Sequence, residues 1–207
     1  MHPRVRLTLM AVATLALVGI LAFVVFSNPS DGTANPAPAT RFDGSISPPA
    51  PPQDFALRDQ DGRITRLWSE RGRVTVLTFM YTTCQNDCPT MAQQIRGALD
   101  QTRASIPVLA VSVDPKNDTP ASARKFVAEQ HLIGRMRFLL GTEPELQRVW
   151  RRYGIQPQGA KLEHTAYVIL IDKTGKARVS FPISELTPEG LAHDIKVLQD
   201  ARGDRGA

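Results

Sequence analysis

The sequence predicts an α/β domain in which helices cover both faces of a central β-sheet. Two observations lead to this class. Runs rich in apolar and β-branched residues, each suited to one buried strand, recur along the chain, and segments with apolar residues at helical spacing separate them. Strands that alternate with helices in this way indicate a largely parallel sheet covered on both sides. Antiparallel additions at the two ends of the domain make the central sheet mixed.

The predicted elements follow one another between Phe55 and Leu198. An N-terminal β-hairpin comes first, because residues 55–57 and 64–67 flank an Asp-Gly turn. Further strands are expected at residues 74–80, 106–113, 136–140, 166–171 and 177–181, the last of them pairing antiparallel with its predecessor. Helices are expected to begin near Pro89 and after the N-cap candidates Thr119, Thr142 and Thr187.

The segment before this domain has a different composition. Residues 7–26 form an uncharged apolar run, about the ~20 residues that a helix needs to cross a bilayer. A cleaved signal peptide has a shorter apolar core and a nearby small-residue cleavage site, so an uncleaved transmembrane signal anchor is predicted. Arg4 and Arg6 indicate that residues 1–6 form a cytoplasmic flank. The protein is therefore expected to be single-pass in the inner (cytoplasmic) membrane, with its globular part on the periplasmic, outer side.

The remaining boundaries follow from composition. Residues 27–53 are rich in Pro, Ala, Ser and Gly and are predicted to be an extended tether. Residues 54–200 are the predicted folded domain, and residues 201–207 a polar tail. A composition of 42% hydrophobic and 22% charged residues excludes disorder throughout the chain. The net charge of +5 is modest and no basic stripe interleaves with aromatic residues, so nucleic acid is excluded as a partner.

Cys84 and Cys88 are the only cysteines of the chain, and they lie where a predicted strand ends and a helix begins. Open α/β sheets place their sites at this edge. The positive end of the helix favours thiolate over thiol. In an exported domain two cysteines form a disulfide by default, whereas the three intervening residues, one more than in C-x-x-C, favour a metal site over thiol–disulfide exchange. The spacing leaves these alternatives open.

A third ligand would favour the metal, and the chain has four histidines. His2 lies in the cytoplasmic flank, and His131 and His193 are predicted to be surface or helix-cap residues. His164 precedes the predicted strand 166–171, whose start is expected near the cysteine loop. His164 is therefore the best ligand candidate.

Two thiolates and one imidazole suit copper, since Cu(I) favours sulfur and Cu²⁺ heads the divalent affinity order. Structural zinc requires four protein ligands, and the sequence offers no evident fourth. Met80 and Met91 could contribute a thioether, but both fit apolar packing faces and are predicted to belong to the core.

Three segments together resemble the Sco/SenC family: FMYTTCQNDCP at 79–89, VSVDP at 111–115 and HTAYVILID at 164–172. The resemblance implies a thioredoxin-like three-layer sandwich and a copper metallochaperone that serves the binuclear copper centre of cytochrome c oxidase. It implies Cys84, Cys88 and His164 as ligands of copper, as Cu(I) or Cu(II). Asp87 and Asp114 match acidic positions near the site, although Asp114 before Pro115 is favoured as a turn residue.

This resemblance sets the expected function and its alternatives. A metallochaperone is expected rather than an enzyme, with the copper-binding oxidase subunit, a thiol reductase and other copper chaperones as partners. The alternative is a membrane-anchored thiol–disulfide oxidoreductase that reduces the cysteines of the oxidase copper centre. A thiol peroxidase and a purely structural disulfide are weaker alternatives. In the copper hypothesis, a Cys84–Cys88 disulfide would be a resting or regulated redox state.

Overall fold

A computed structural model describes residue 15 and residues 42–46, 53–102, 105–155 and 167–201. The chain divides into two compact units, Met1–Thr40 and Arg41–Ala207. Within the described part of the chain, no helix is both long and apolar enough to span a bilayer. The predicted anchor at residues 7–26 lies, apart from Leu15, outside the described residues.

The second unit contains eight strands and four α-helices among its described residues. The strands are β1 (Ser45–Ile46), β2 (Ala56–Asp59), β3 (Ile64–Arg66), β4 (Thr75–Met80), β5 (Val108–Ser112), β6 (Met136–Leu140), β7 (Tyr167–Ile171) and β8 (Ala177–Pro182). The helices are α1 (Asp87–Gln101), α2 (Pro120–Glu129), α3 (Glu143–Arg152) and α4 (Pro188–Asp200), with a 3₁₀ helix at Leu67–Glu70. The predicted order of elements, including the N-terminal hairpin, is confirmed.

The strands form one mixed sheet in the order β1-β8-β7-β4-β5-β6-β2-β3. Only the pairs β4–β5 and β5–β6 of this sheet are parallel, and the other described pairs are antiparallel. The expectation of a largely parallel sheet is therefore wrong, whereas the mixed sheet is confirmed. The reason is the long connection between α3 and β7. Residues 153–166 are enough for the chain to re-enter the sheet at either end of its strands, so β7 can run parallel or antiparallel to β4.

Strand β4 lies in the middle of this sheet, and all six of its residues are buried. Its side chains alternate between two apolar cores. Val76 and Met80 join the core covered by α1, α2 and α4. Leu77 and Phe79 join the core on the other face, which α3 covers. The domain is therefore the predicted three-layer sandwich, with β4 leading directly into the cysteine segment.

Residues 42–46 belong to the folded domain, although they lie inside the predicted tether. Ser45 and Ile46 pair with β8. The buried carboxylate of Asp194 accepts the N–H groups of Asp43 and Gly44 at 2.8 and 2.9 Å. Gly44 fits closely there, since a Cβ atom would lie 2.6 Å from Val179 Cγ1. The tether prediction does not hold for these five residues, because a polar composition does not exclude backbone pairing at a sheet edge.

Candidate metal centre

The two cysteines lie on either side of the junction between β4 and α1. Cys84 belongs to the connection 81–86 and is partly buried, whereas Cys88 is fully buried in the first turn of α1. The helix begins at Asp87, two residues before the predicted start near Pro89. Both cysteines are free thiols. The junction therefore presents one accessible and one inaccessible sulfur at the carboxyl end of the central strand.

The Cys84 sulfur occupies the position of a helix-capping acceptor. The N-cap residue of α1, Asn86, makes no side-chain capping hydrogen bond. Instead the N–H of Cys88 donates to Cys84 Sγ at 3.2 Å. The first N–H groups of a helix lack intrahelical partners and carry partial positive charge. Contact with such a group stabilises a thiolate on Cys84.

The pKa values of the two thiols are shifted in opposite directions. A hydrogen bond from the Cys88 side chain lowers the pKa of Cys84 to about 6, against the opposing effect of burial. The N–H groups of Cys88 and Asn86 add to this lowering. The pKa of Cys88 is raised, because its thiol proton is held by Cys84 and its surroundings are desolvated. At neutral pH the negative charge therefore lies on Cys84 and the proton on Cys88.

Tyr81 opens the cysteine connection and lies close to this charge. Burial and a hydrogen bond with Cys84 raise the pKa of Tyr81 to about 12. The carbonyl of Tyr81 also accepts the N–H of Cys84 at 3.3 Å. The hydroxyl of Tyr81 stays protonated at neutral pH and helps to stabilise the Cys84 thiolate.

His164, the predicted third ligand, lies outside the described residues, as does His2. The described chain resumes at Tyr167, the first residue of β7. Strand β7 runs antiparallel to β4, so its amino end lies at the carboxyl end of β4. The Thr78 hydroxyl donates to the Tyr167 carbonyl at 3.2 Å. The described chain thus re-enters the sheet at the edge that carries the cysteines.

The other ligand candidates have structural positions, as predicted. His131 is exposed just beyond α2, with a left-handed φ of 56°. Met80 and Met91 are fully buried in the core. The sulfur of Met91 lies 3.3 Å from the Thr78 hydroxyl oxygen.

His193 lies on α4 and is half exposed, in agreement with the predicted surface position. Its Nδ1 atom lies 2.9 Å from Asp194 Oδ1 and 3.4 Å from Asp43 Oδ2. Possible ligand atoms of these three residues lie within 4.8 Å of one another. However, both carboxylate oxygens of Asp194 already accept N–H groups of residues 43 and 44. We interpret this cluster as a structural contact that holds the segment before β1 against α4.

Asp118, which sequence reasoning missed, holds the cysteine connection in place. Its carboxylate accepts both the N–H and the hydroxyl of Thr82 at 2.7 Å, and the Ser112 hydroxyl at 2.5 Å. Burial raises its pKa, although these hydrogen bonds oppose the shift. The sequence did contain a signal for this role, since Asp118 is a second aspartate after the buried strand β5. The carboxyl ends of neighbouring parallel strands lie at the same edge of a sheet, which places such a residue near the cysteines.

The two acidic residues named by the resemblance have different surroundings. Asp114 is buried, and its carboxylate accepts the Asn117 side-chain N–H at 2.8 Å. Its carbonyl accepts the N–H groups of Asn117 and Asp118, as expected of a turn residue. Asp87 is exposed in the first turn of α1, where its charge contributes to the raised pKa of Cys88.

Comparison with known proteins identifies relatives of this chain. A SCO2-like protein of Rickettsia typhi is 27% identical over 134 residues, covering 59% of this chain and 65% of that protein. The chain thus spans less than two thirds of the length of this relative, and the same holds for the SCO2-like proteins of Rickettsia prowazekii and Rickettsia conorii.

Solved Sco structures share the fold. The structure of Bradyrhizobium japonicum ScoI with copper bound has a TM-score of 0.59 and 27% identity, covering 72% of this chain and 99% of that chain. BsSco, a member of the Sco family of cytochrome c oxidase assembly proteins in which a disulfide switch was identified, has a TM-score of 0.63 and 24% identity. That match covers 76% of this chain and 99% of the BsSco chain. The predicted thioredoxin-like α/β fold is therefore confirmed.

The SCO1/SenC family model matches residues 45–200. This range is well over half of the chain and contains both cysteines and His164. The protein therefore belongs to the SCO1/SenC family.

Proposed function

We propose that this protein binds copper at Cys84, Cys88 and His164 and delivers it to the binuclear copper centre of cytochrome c oxidase. The observation that carries the proposal is the pair of sulfurs at the carboxyl end of β4, with the charge held on the more accessible one. Copper is the cargo of this protein rather than a resident cofactor.

The donor chemistry of the pair fits copper. Metal ions bind thiolates rather than thiols, and the lowered pKa of Cys84 supplies one thiolate at neutral pH. Cys88 must release its proton when the metal binds, so copper uptake is expected to liberate a proton. Thiolate sulfur is a soft ligand that favours Cu(I).

The antiparallel register supports His164 as the third ligand. His164 precedes Tyr167 by three residues, and three residues span at most about 10 Å. Tyr167 contacts Thr78 on the strand that leads into the cysteine connection. His164 is therefore within chain reach of this edge, and its imidazole would complete a set of two sulfurs and one nitrogen.

The unequal exposure of the two sulfurs suits transfer. Cys84 is accessible to an incoming ligand, whereas Cys88 is fully buried. A cysteine or histidine of the acceptor would replace the ligands of the ion one at a time, beginning at the exposed side. A site of three ligands leaves room for such an exchange, which a closed four-ligand site does not.

The surroundings of the protein complete the proposal. We place residues 7–26 in the inner membrane as an uncleaved anchor and the domain on the outer side, with the rest of the 27–53 segment as a tether. The partners are the copper-binding oxidase subunit, a thiol reductase that keeps the pair reduced, and other copper chaperones. A reductase is needed because an oxidising compartment favours the disulfide, which cannot bind the ion.

Copper titration of the reduced chain tests this proposal. Competition with a chromophoric Cu(I) chelator should give a stoichiometry of one, and Cys84→Ser, Cys88→Ser and His164→Ala should each weaken binding at least tenfold. His131→Asn is the matched control, because His131 is exposed and Asn tolerates its left-handed φ. No uptake by the reduced chain, or equal effects of the two histidine variants, would contradict the proposal.

The lowered pKa of Cys84 also favours a second function, reduction of the disulfide of the oxidase copper centre. The Cys84 thiolate would attack one sulfur of that disulfide and form a mixed disulfide while the other partner sulfur leaves as a thiolate. Cys88, after losing its proton, would then attack Cys84 and release the reduced partner. The protein ends as a Cys84–Cys88 disulfide, and a thiol reductase must restore it.

His164 separates the two functions. A dithiol exchanger does not need an imidazole, so His164→Ala should leave disulfide reduction at the wild-type rate while copper affinity falls. If His164→Ala slows disulfide reduction and leaves copper affinity unchanged, His164 does not have the role of a copper ligand.

A further inference from the structure

The carboxylate of Asp118 is buried without a cationic partner. Its residue is 8% exposed, and in the described part of the chain no Lys, Arg or His forms an ion pair with it. Burying an unpaired carboxylate is costly unless hydrogen bonds compensate it. Here three donors compensate it, and they come from two other segments of the chain.

These donors belong to two neighbouring segments at the carboxyl ends of β4 and β5. Ser112 is the last residue of β5 and lies opposite Met80, the last residue of β4. Thr82 lies two residues before Cys84 and gives Asp118 both its N–H and its hydroxyl at 2.7 Å. Asp118 thus ties the incoming limb of the cysteine connection to β5.

The rest of the connection has few fixed contacts of its own. Between Thr83 and Asn86 the backbone donates two described hydrogen bonds, from Cys84 N–H to the Tyr81 carbonyl at 3.3 Å and from Asn86 N–H to Cys84 Sγ. Cys88, in the first turn of α1, is held by its burial in the core. Tyr81, which bonds Cys84 through both its carbonyl and its side chain, adjoins Thr82. The position of Cys84 relative to Cys88 therefore depends on how firmly Thr82 is held.

We propose that Asp118 is the positioning residue of the Cys84–Cys88 pair: its carboxylate holds Thr82 against β5 and so places Cys84 Sγ where it accepts the Cys88 N–H. Asp118 touches neither sulfur and acts through Thr82. This inference deepens the proposed function by naming what shapes the site, but it concerns the metal-free pair and does not depend on copper.

Asp114 provides a matched control, because it lies with Asp118 in the connection between β5 and α2. It is a buried aspartate four residues upstream with the same charge. Its carboxylate accepts a hydrogen bond from Asn117, inside its own turn, and none from the cysteine connection in the described structure. Asp114→Asn and Asp118→Asn thus remove the same charge from the same region. Only the second weakens the bonds that Thr82 donates, because a neutral amide oxygen accepts them less strongly than a carboxylate.

The test is the equilibrium of the metal-free Cys84–Cys88 pair with a glutathione redox buffer, measured on the full chain. Loosening Thr82 weakens the contact that stabilises the dithiol form. Asp118→Asn should therefore shift the equilibrium constant about tenfold toward the disulfide, which corresponds to about 30 mV. Asp114→Asn should change it less than twofold.

Two further variants keep the test decisive if Asp118→Asn fails to fold. Thr82→Ser keeps the hydroxyl that Asp118 accepts and should remain within twofold of wild type. Thr82→Val removes it and should shift the constant about threefold in the same direction as Asp118→Asn.

The free energy of unfolding is measured alongside, because a merely structural role would lower it and leave the redox equilibrium unchanged. That outcome, or equal redox shifts in Asp114→Asn and Asp118→Asn, or in Thr82→Ser and Thr82→Val, would overturn the proposal. Failure of copper binding with the predicted redox shifts intact would refute only the proposed function.

Discussion

Two connections leave the carboxyl ends of the adjacent parallel strands β4 and β5, and they end in different helix caps. Before α2, the Thr119 hydroxyl accepts the Ser122 N–H at 3.1 Å, and the Ser122 hydroxyl accepts the Thr119 N–H at 2.9 Å. Before α1, the side chain of the N-cap Asn86 makes no capping hydrogen bond, and the sulfur of Cys84 accepts the Cys88 N–H.

This difference shows two uses of the acceptor at a helix N-terminus. The hydroxyl before α2 stabilises its helix, whereas the sulfur before α1 becomes a more reactive thiolate. A reciprocal hydroxyl cap stabilises a helix by about 1 kcal/mol. A sulfur acceptor gains charge instead, because the helix N-terminus favours the thiolate. The connection 81–86 before α1 is instead held in place by the neighbouring connection before α2, through the hydrogen bonds that Thr82 donates to Asp118.

The largest expected effect that sharpens this comparison is a difference in reactivity between the two thiols. Iodoacetamide at pH 7 should modify Cys84 at least about 100-fold faster than Cys88, because only Cys84 is both accessible and deprotonated. Mass spectrometry of peptides after timed labelling measures both rates. Similar rates at the two cysteines would refute the assignment of the charge to Cys84.

The pH dependence of this labelling is the next effect. Because the pKa of Cys84 is lowered to about 6, its labelling rate should stay near maximal as pH falls from 8 and reach half its maximum near pH 6. The urea-unfolded chain is the control, with a half-maximal rate at about pH 8.5. A depressed pKa favours the folded state above the unfolded pKa, and this stabilisation is lost as pH falls through about 6. Half-maximal labelling of the folded chain near pH 8.5 would contradict the sulfur-cap geometry.

The smallest effect concerns the caps themselves. Thr119→Ala should lower the free energy of unfolding by about 1 kcal/mol, since it removes a formed cap. Asn86→Ala should change it by only a few tenths of a kcal/mol, because the Asn86 side chain makes no capping bond. Urea denaturation measures both values. Equal losses would show that the α1 and α2 N-termini are capped alike.

Most of the fold was predictable from local patterns, since amphipathic periodicity and N-cap residues mark the elements. The direction of β7 was not, because no local pattern records the end at which a long connection returns. This error matters for the site. In a largely parallel sheet the start of β7 would lie at the edge opposite the cysteines, so the proposed role of His164 requires the antiparallel register that the structure contains.

The candidate site was predictable in its sulfurs but not in its support. The position of Cys84 and Cys88 at a strand–helix junction follows from sequence spacing alone. Which thiol is the stronger acid depends on burial and on the direction of one N–H, and neither is encoded locally. The bonds from Thr82 to Asp118 join residues 36 positions apart and become evident only when β4 and β5 lie side by side.

Copper K-edge X-ray absorption of the copper-loaded chain tests the central claim most directly. The account predicts two sulfur ligands and one imidazole nitrogen in the wild type. In His164→Ala the imidazole scattering should disappear while both sulfurs remain, and in His131→Asn the spectrum should match the wild type. Fewer than two sulfurs in the wild type, or imidazole scattering that persists in His164→Ala, would contradict a site built from Cys84, Cys88 and His164.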